Sequence, residues 1–146
     1  MRRCRGSFIY VVGGSNLKRL NKHEATFWEC WTAAQLVPGD DLEPRYSIML
    51  EIDGQNLPRE FDFGSSTARV LVEIDGLGGF DPVSRRERCG GHQTASGMAR
   101  DSAKRNAAVI DGWRVLVYPS SRINSPARLR VAAEEVAMAI CRAVHK

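Results

Sequence analysis

Three acidic residues lie on two neighbouring segments that the sequence pattern predicts to be β-strands. Side chains alternate between the two faces of a strand, so Glu73 and Asp75 share a face. If residues 64–67 form a four-residue hairpin loop, Asp62 lies opposite Arg69 and on that same face. Clustered carboxylates repel one another, and a hard cation such as Mg²⁺ relieves the repulsion. We therefore expect a magnesium site, unless Asp75 merely opens a turn or a one-residue slip of register moves Asp62 to the other face.

A predicted helix that begins near Met98 carries Lys104, a second group that could take part in chemistry. Asp101 lies three residues earlier on the same helical face, where the two could form a surface ion pair. The functional alternative is that Lys104 reaches the carboxylates and there positions a water or stabilises charge during phosphoryl transfer. In the preceding loop, His92 could act as a general acid or base, or contact a phosphate. Cys89 and His92 could also be half of a zinc site, but no second ligand pair has suitable spacing.

The positive charge of the chain is concentrated beside these candidates. The net charge is +4, yet residues 81–130 carry 10 Lys or Arg against 4 Asp or Glu, whereas residues 1–80 carry 9 against 11. An acidic half joined to a basic half is typical of a protein that holds a cation in one place and a polyanion in another. The alternative is a solvated basic face without a function.

Hydrophobic periodicity and turn residues predict the elements that position these groups. Helical spacing predicts three helices, over residues 22–36, 98–111 and from 126 onward. Alternation predicts five strands, over residues 8–12, 46–52, 59–63, 69–75 and 113–118. Asn21 with Glu24 predicts a capped start of the first helix, Asp53-Gly54 a hairpin turn, and Gly112 the end of the second helix. Trp28 and Trp31 lie on the apolar stripe of the first helix, which favours a place in the core over base stacking.

The order of these elements predicts an α/β fold: a mixed sheet with an antiparallel meander and a strand–helix–strand crossover, with helices on the sheet faces. A chain of 146 residues fits one domain. Its four cysteines stand singly, which is typical of reduced thiols in a cytoplasmic protein. The apolar run over residues 8–12 is too short for a secretory signal, and no run approaches the length of a membrane helix, so we expect no membrane association.

The stretch FDF…VLVEIDG…GGHQTASGMARDSAKRNAAVIDGWRVLVYP resembles the PD-(D/E)xK restriction-endonuclease-like nucleases. It is most similar to the branch of very-short-patch mismatch endonucleases and phage-encoded endonucleases or resolvases. That branch has an Asp on one strand, a hairpin strand that ends in E-x-[DE]-G, a Gly/His loop, a helix with D-x-x-K/R-x-N, and a strand that begins G-W-x-V. The resemblance covers roughly residues 22–145 and is specific over residues 61–118. It implies a restriction-endonuclease-like domain over residues 22–146, preceded by a basic N-terminal arm over residues 1–21.

The resemblance assigns roles to individual residues. Asp62 and Glu73 match the two acidic positions that bind metal in such nucleases. Asp75 stands where the family usually has a lysine, and Lys104 on the helix is the candidate to replace that lysine. Glu24 resembles a glutamate on the first helix that sometimes completes such sites. The remaining matches are the loop histidine and the helix motif: His92, Asp101, Lys104 and Asn106.

The implied activity is that of a Mg²⁺- or Mn²⁺-dependent DNA endonuclease that hydrolyses phosphodiester bonds at junctions, flaps, mismatches or nicks. The metal ligands would be Asp62, Glu73, Asp75 and Glu24, and the further catalytic residues Lys104 and His92. The arginines that would hold neighbouring phosphates are Arg85, Arg86, Arg88, Arg100, Arg105 and Arg114. The implied partners are DNA and the proteins of replication or recombination. A junction resolvase would be a homodimer, whereas a mismatch endonuclease could be a monomer. The resemblance also implies a cytoplasmic protein of a bacterial cell, encoded by a phage or mobile element.

Two alternatives remain open from the sequence. The first is a non-catalytic nucleic-acid-binding module on the same fold, in which the acidic cluster is inert. The second is a structural or assembly subunit, which would leave the basic stretch that begins at Arg85 unexplained. An inert module has no need for carboxylates that face a polyanion, so the acidic residues favour the enzyme.

Overall fold

The computed structural model describes residues 19–34, 42–75, 80–81, 86–87 and 95–144. The helices are α1 (Lys22–Ala34), α2 (Ala95–Ile110) and α3 (Pro126–Val144), with a short 3-10 helix at Ser120–Arg122. The strands are β1 (Glu43–Ile52), β2 (Gln55–Ser65), β3 (Val70–Asp75), β4 (Phe80–Asp81), β5 (Arg86–Glu87) and β6 (Arg114–Pro119). The predicted strand over residues 8–12 lies outside the described residues, as does most of the predicted N-terminal arm.

The main sheet has four strands in the order β1-β2-β3-β6. β1 pairs with β2 and β2 with β3 in antiparallel fashion, whereas β3 and β6 are parallel. The connection from β3 to β6 contains α2, so the predicted meander and the strand–helix–strand crossover are both confirmed, and the chain is a mixed α/β protein. Among the described residues, β4 and β5 form a separate two-stranded antiparallel sheet. In the described part of the chain no helix is long and apolar enough to cross a membrane.

The sheet is covered on both faces, and β3 alternates between the two resulting cores. Val70, Val72 and Ile74 are buried in a core that the sheet shares with α1 and α3. Leu71 is buried in a second core, which the sheet shares with α2. Because side chains alternate along a strand, Glu73 follows Leu71 onto the α2 side. The Glu73 carboxylate on β3 therefore faces α2, the helix that carries Lys104.

The first helix begins with the predicted capping arrangement. Asn21 Oδ1 accepts a hydrogen bond from the Glu24 N–H at 2.9 Å, and Glu24 Oε2 accepts one from the Asn21 N–H at 2.9 Å. This reciprocal pair satisfies two backbone donors at the helix start. Trp31 is buried and Trp28 stacks on Phe63 with ring centroids 5.6 Å apart, so both tryptophans are core residues as predicted.

The predicted turns are confirmed at two places. Asp53 and Gly54 both have positive φ, 51° and 74°, as a two-residue hairpin turn requires. This turn pairs Ile52 directly with Gln55, so β2 begins earlier than the predicted residue 59. Gly112 has φ 88° and its N–H bonds the Val109 carbonyl, which ends α2.

The register predicted between β2 and β3 is wrong. β2 continues through Ser65, which pairs with Val70, and the loop spans residues 66–69 instead of 64–67. Arg69, which was predicted to begin the strand over residues 69–75, instead ends the loop with a positive φ of 52°. The pairing of Phe63 with Val72 places Asp62 next to Glu73 and not opposite Arg69. The shift preserves the predicted proximity of the two acids.

Position 64 inside β2 requires glycine, because any side chain there would overlap Tyr46. A Cβ at Gly64 would lie 2.8 Å from the Tyr46 Cβ and closer still to the ring. We expect Gly64→Ala to lower the free energy of unfolding by about 1–3 kcal/mol, measured by urea denaturation. In a Tyr46→Ala background most of this cost should disappear. An equal cost in both backgrounds would show that contact with Tyr46 is not its cause.

Candidate active site

A cavity opens where β2 and β3 stop pairing. The ladder between them ends at Phe63 and Val72. Beyond that point, side chains satisfy the backbone: the Ile74 N–H donates to Asp62 Oδ2 at 2.7 Å, and Lys104 Nζ donates to the Glu60 carbonyl at 2.7 Å. The opening is a cavity of about 270 Å³. Its charged lining consists of Glu24, Glu60, Asp62, Glu73, Asp101, Arg45, Lys104 and Arg105.

Lys104 is held at the α2 side of this cavity by three different groups. Its ammonium contacts Glu73 Oε1 as an ion pair, bonds the Glu60 carbonyl, and lies 4.2 Å from the centroid of the Phe61 ring. The two side chains of the ion pair are only 18% and 13% exposed. Burial raises the pKa of Glu73 above its ordinary value, and the Lys104 ammonium opposes that rise. The alternative in which Lys104 reaches the carboxylates is thus the observed geometry.

Asp62 lies at the centre of the charged groups. Burial, and then the nearby Glu24 carboxylate, raise its pKa from 3.8 to about 6, against the Ile74 N–H bond and the charges of Arg45 and Lys104. At a pH near 6 a carboxyl with this pKa is present in both its protonated and its ionised form. Strongly shifted carboxyls in a cavity are typical of functional sites.

Arg45 is a site residue that the sequence analysis missed. Its Nη2 lies 2.5 Å from Glu24 Oε2, and its Nη1 lies 3.3 Å from Asp62 Oδ1 and 3.6 Å from Glu60 Oε1. It has φ 54° inside β1, a conformation that costs energy for any residue other than glycine. The available signal was the register of the β1–β2 hairpin, because a two-residue turn at Asp53-Gly54 places Arg45 opposite Asp62.

Glu24 enters the cavity as predicted, but its oxygens have other partners. Oε1 accepts from Asn21 Nδ2 at 2.7 Å, while Oε2 accepts from the Asn21 N–H and from Arg45. The side chain is 4% exposed. In this arrangement Glu24 anchors Arg45 and caps α1, so its predicted role as a metal ligand gains no support from its contacts.

The structure separates the other predicted residues into three sets. Asp101 and Arg105 line the cavity, and Arg100 lies one turn before Lys104 on α2 and is exposed. Arg114 is elsewhere: it pairs with Val70 at the opposite end of β3 and donates to the Ala139 carbonyl at 3.2 Å. Asn106 is exposed and lines a separate groove. Outside the described residues lie Cys89, His92, Arg85, Arg88 and the side chains of Asp75 and Arg86.

Two of the four predicted metal ligands, Asp62 and Glu73, remain as candidates for binding a magnesium ion. Among the side chains that the structure describes, no three acidic, histidine or cysteine residues form a group able to hold a metal ion. Asp62 and Glu73 remain as two hard oxygen donors in one cavity. Mg²⁺ characteristically takes one or two carboxylates, keeps several waters and uses substrate phosphates for the rest. These two residues therefore fit that ion.

A larger groove leads away from the cavity. It measures about 890 Å³ and lies between the end of the β1–β2 hairpin and the first half of α2. Asp101 and Lys104 line both the groove and the cavity. Arg59 on one wall and Arg100 on the other add positive charge. An extended anionic ligand in the groove would therefore reach Lys104.

Comparison of the chain with protein-family models, with curated proteins and with solved structures finds no match. The resemblance to endonucleases rests on the motif residues of the sequence.

Proposed function

We propose that this chain is a metal-dependent DNA endonuclease with a restriction-endonuclease-like fold. The observation that carries the proposal is the meeting of Asp62, Glu73 and Lys104 in one cavity, from β2, β3 and α2. Asp62 and Glu73 come from neighbouring strands, and Lys104, which lies further along the chain and matches the helix motif of the resemblance, reaches the same cavity from α2. The mixed sheet with its β3–α2–β6 crossover agrees with the proposed fold. A role in DNA repair or recombination, as in the similar branch, belongs to the same proposal.

The proposed mechanism gives each residue one task. Asp62 and Glu73 would hold Mg²⁺ or Mn²⁺, which when bound lowers the pKa of a coordinated water and neutralises the scissile phosphate. Lys104, fixed by Glu73 and the Glu60 carbonyl, would orient the attacking water or stabilise the charge that develops on phosphorus-bound oxygens. Arg59 and Arg100 would hold phosphates on either side of the groove.

The function is tested with labelled single-stranded, duplex, mismatched, flapped and four-way-junction DNA, each in Mg²⁺, Mn²⁺ or EDTA. We expect the wild-type chain to cleave at least one substrate with metal and none with EDTA. Glu73→Gln should abolish cleavage because it removes a carboxylate ligand. Glu134→Gln, which changes an exposed residue on α3 that pairs with Arg130, is the matched control and should cleave normally.

Binding without cleavage in every metal would contradict the proposal. A specific observation favours the non-catalytic module in that event: Arg45 and Lys104 already form ion pairs with Glu24, Asp62 and Glu73. The acidic cluster would then be a structural charge network on a DNA-binding domain. The preferred DNA in the panel would identify the pathway in either case.

The groove makes a separate prediction about DNA binding. Each lost phosphate contact reduces the slope of log K against log salt by about 0.9 for duplex DNA. We therefore expect the Arg59→Ala and Arg100→Ala double variant to reduce the slope by about 2, measured by fluorescence anisotropy. Arg114→Ala should leave the slope unchanged because Arg114 lies at the far end of β3. An effect of Arg114→Ala as large as that of the double variant would place the DNA elsewhere.

A further inference from the structure

The two terminal nitrogens of the Arg45 guanidinium differ in how closely they contact their partners. Nη2 bonds the Arg19 carbonyl at 2.7 Å and Glu24 Oε2 at 2.5 Å. Nη1 lies at the longer distances of 3.3 Å from Asp62 and 3.6 Å from Glu60. Glu24 is in turn fixed by two hydrogen bonds from Asn21. The planar guanidinium can therefore pivot about Nη2, which changes the partner of Nη1 while Nη2 keeps its bonds.

Nη1 contacts the Asp62 oxygen that is more available to a metal ion. Asp62 Oδ2 accepts the Ile74 N–H at 2.7 Å, a bond that closes the gap between β2 and β3. Oδ1 has no such backbone partner and is therefore the more available oxygen for a cation, and Arg45 Nη1 lies beside it. Two cations at one carboxylate oxygen repel each other, the more so with little water between them.

We propose that Arg45 is the built-in counter-cation of this site, which competes with the divalent metal ion for Asp62 and moves to Glu60 when the metal binds. The inference rests on the proposed function. Glu60 Oε1 is already 3.6 Å from Nη1, and its side chain is 36% exposed, so it accepts the displaced charge with a small movement. Arg45 thus keeps the acids compatible with folding in the absence of metal, and weakens metal binding in return.

The test measures the binding of Mn²⁺ to the full chain without DNA at pH 8. The electron paramagnetic resonance signal of free Mn²⁺ reports how much of the ion is bound. Arg45→Asn removes the charge, and asparagine tolerates positive φ better than most residues. We expect Arg45→Asn to bind Mn²⁺ about tenfold more tightly than the wild-type chain or more. Arg130→Asn, at an exposed position on α3, removes the same charge far from the site and should leave the affinity unchanged.

The outcomes separate this inference from the proposed function. Binding to the wild-type chain that Glu73→Gln abolishes, with equal or weaker binding to Arg45→Asn, overturns the role of Arg45 and leaves the nuclease standing. Binding to Arg45→Asn alone supports it most strongly. Absence of binding to both chains overturns the inference together with the metal site.

A measurement on the wild-type chain guards against misfolding of the variant. The Nε–Hε resonance of Arg45 is followed by nuclear magnetic resonance as diamagnetic Mg²⁺ is added. We expect it to shift in proportion to the bound metal, because the guanidinium changes partners. Arg69, which bonds the Asp111 carbonyl beyond α2, is the internal control and should not respond. An Arg45 resonance that does not move at saturating Mg²⁺ overturns the inference.

Discussion

Lys104→Met should lower the rate of DNA cleavage about 10²–10³-fold, while DNA affinity falls less than tenfold. Methionine has a similar length but removes the ammonium that lies over the Phe61 ring and contacts Glu73 and the Glu60 carbonyl. If the ammonium acts on the water or on the charge of the transition state, its loss affects the chemical step and not the binding of the ground state. Single-turnover cleavage and anisotropy measure the two effects separately.

The same substitution should also destabilise the fold, and this effect must be separated from catalysis. Without Lys104, the largely buried Glu73 loses its closest counter-charge, which costs about 3 kcal/mol of unfolding free energy when one partner of a buried pair is removed. The double variant Glu73→Gln/Lys104→Met should recover most of that stability because no unpaired carboxylate remains. Its cleavage should remain undetectable.

Arg100→Met provides the matched control, since it removes one positive charge from the same face of α2, one turn away. It should weaken DNA binding and leave single-turnover cleavage at saturation close to that of the wild-type chain. A Lys104→Met variant that cleaves at the wild-type rate would leave Lys104 with a structural role alone, as the partner of Glu73 in the opening between β2 and β3.

Local chemistry made much of the fold predictable. Asp53-Gly54 fixes its turn through two positive φ angles, and the Asn21–Glu24 cap satisfies donors within four residues of sequence. The β2–β3 register was not predictable in the same way. Gly64 reads as a turn residue, but its place in the strand is required by the ring of Tyr46, a contact that sequence alone does not reveal. Arg69 then supplies the left-handed turn conformation against the local preference.

Some residues of the candidate site could likewise be predicted from the sequence and others could not. Asp62, Glu73 and Lys104 could be found because they match a motif whose order and spacing are visible in the sequence. Arg45 was missed although the Asp53-Gly54 turn, once paired as Ile52 with Gln55, places Arg45 opposite Asp62 in the β1–β2 hairpin. Its second partner, Glu24, lies 21 residues away on α1, a contact that no local spacing indicates. Arg114 was drawn into the site by its charge alone, and the parallel pairing of β3 with β6 puts it at the other end of the sheet.

Asp62→Asn should raise the free energy of unfolding by up to about 3 kcal/mol at pH 8 while it abolishes cleavage. The pKa of about 6 in the folded chain lies above the ordinary value of 3.8, so folding disfavours the ionised form. A difference of about two pKa units corresponds to about 3 kcal/mol. Asparagine avoids this cost because it carries no charge, and its Oδ1 still accepts the Ile74 N–H that bridges the gap to β3. Mutation of a proposed metal ligand would then stabilise the metal-free protein, which is typical of residues retained for activity at the expense of stability.

The pH dependence has a definite sign. Well below pH 3.8 the Asp62 carboxyl is protonated in the folded and unfolded chain alike, so the difference in stability between the wild-type and Asp62→Asn proteins should not change with pH there. Between pH 4 and about 6 the folded wild-type chain holds a proton that the unfolded chain has released, so its stability falls as the pH rises. The difference between the two proteins should therefore grow through this interval and stay constant above pH 7. Urea denaturation of both proteins in EDTA measures it, and the subtraction removes the titration of the other acids. A variant less stable than the wild-type chain at pH 8 would mean that Arg45 and the Ile74 N–H outweigh the burial of the charge, and that Asp62 contributes to the fold as an anion.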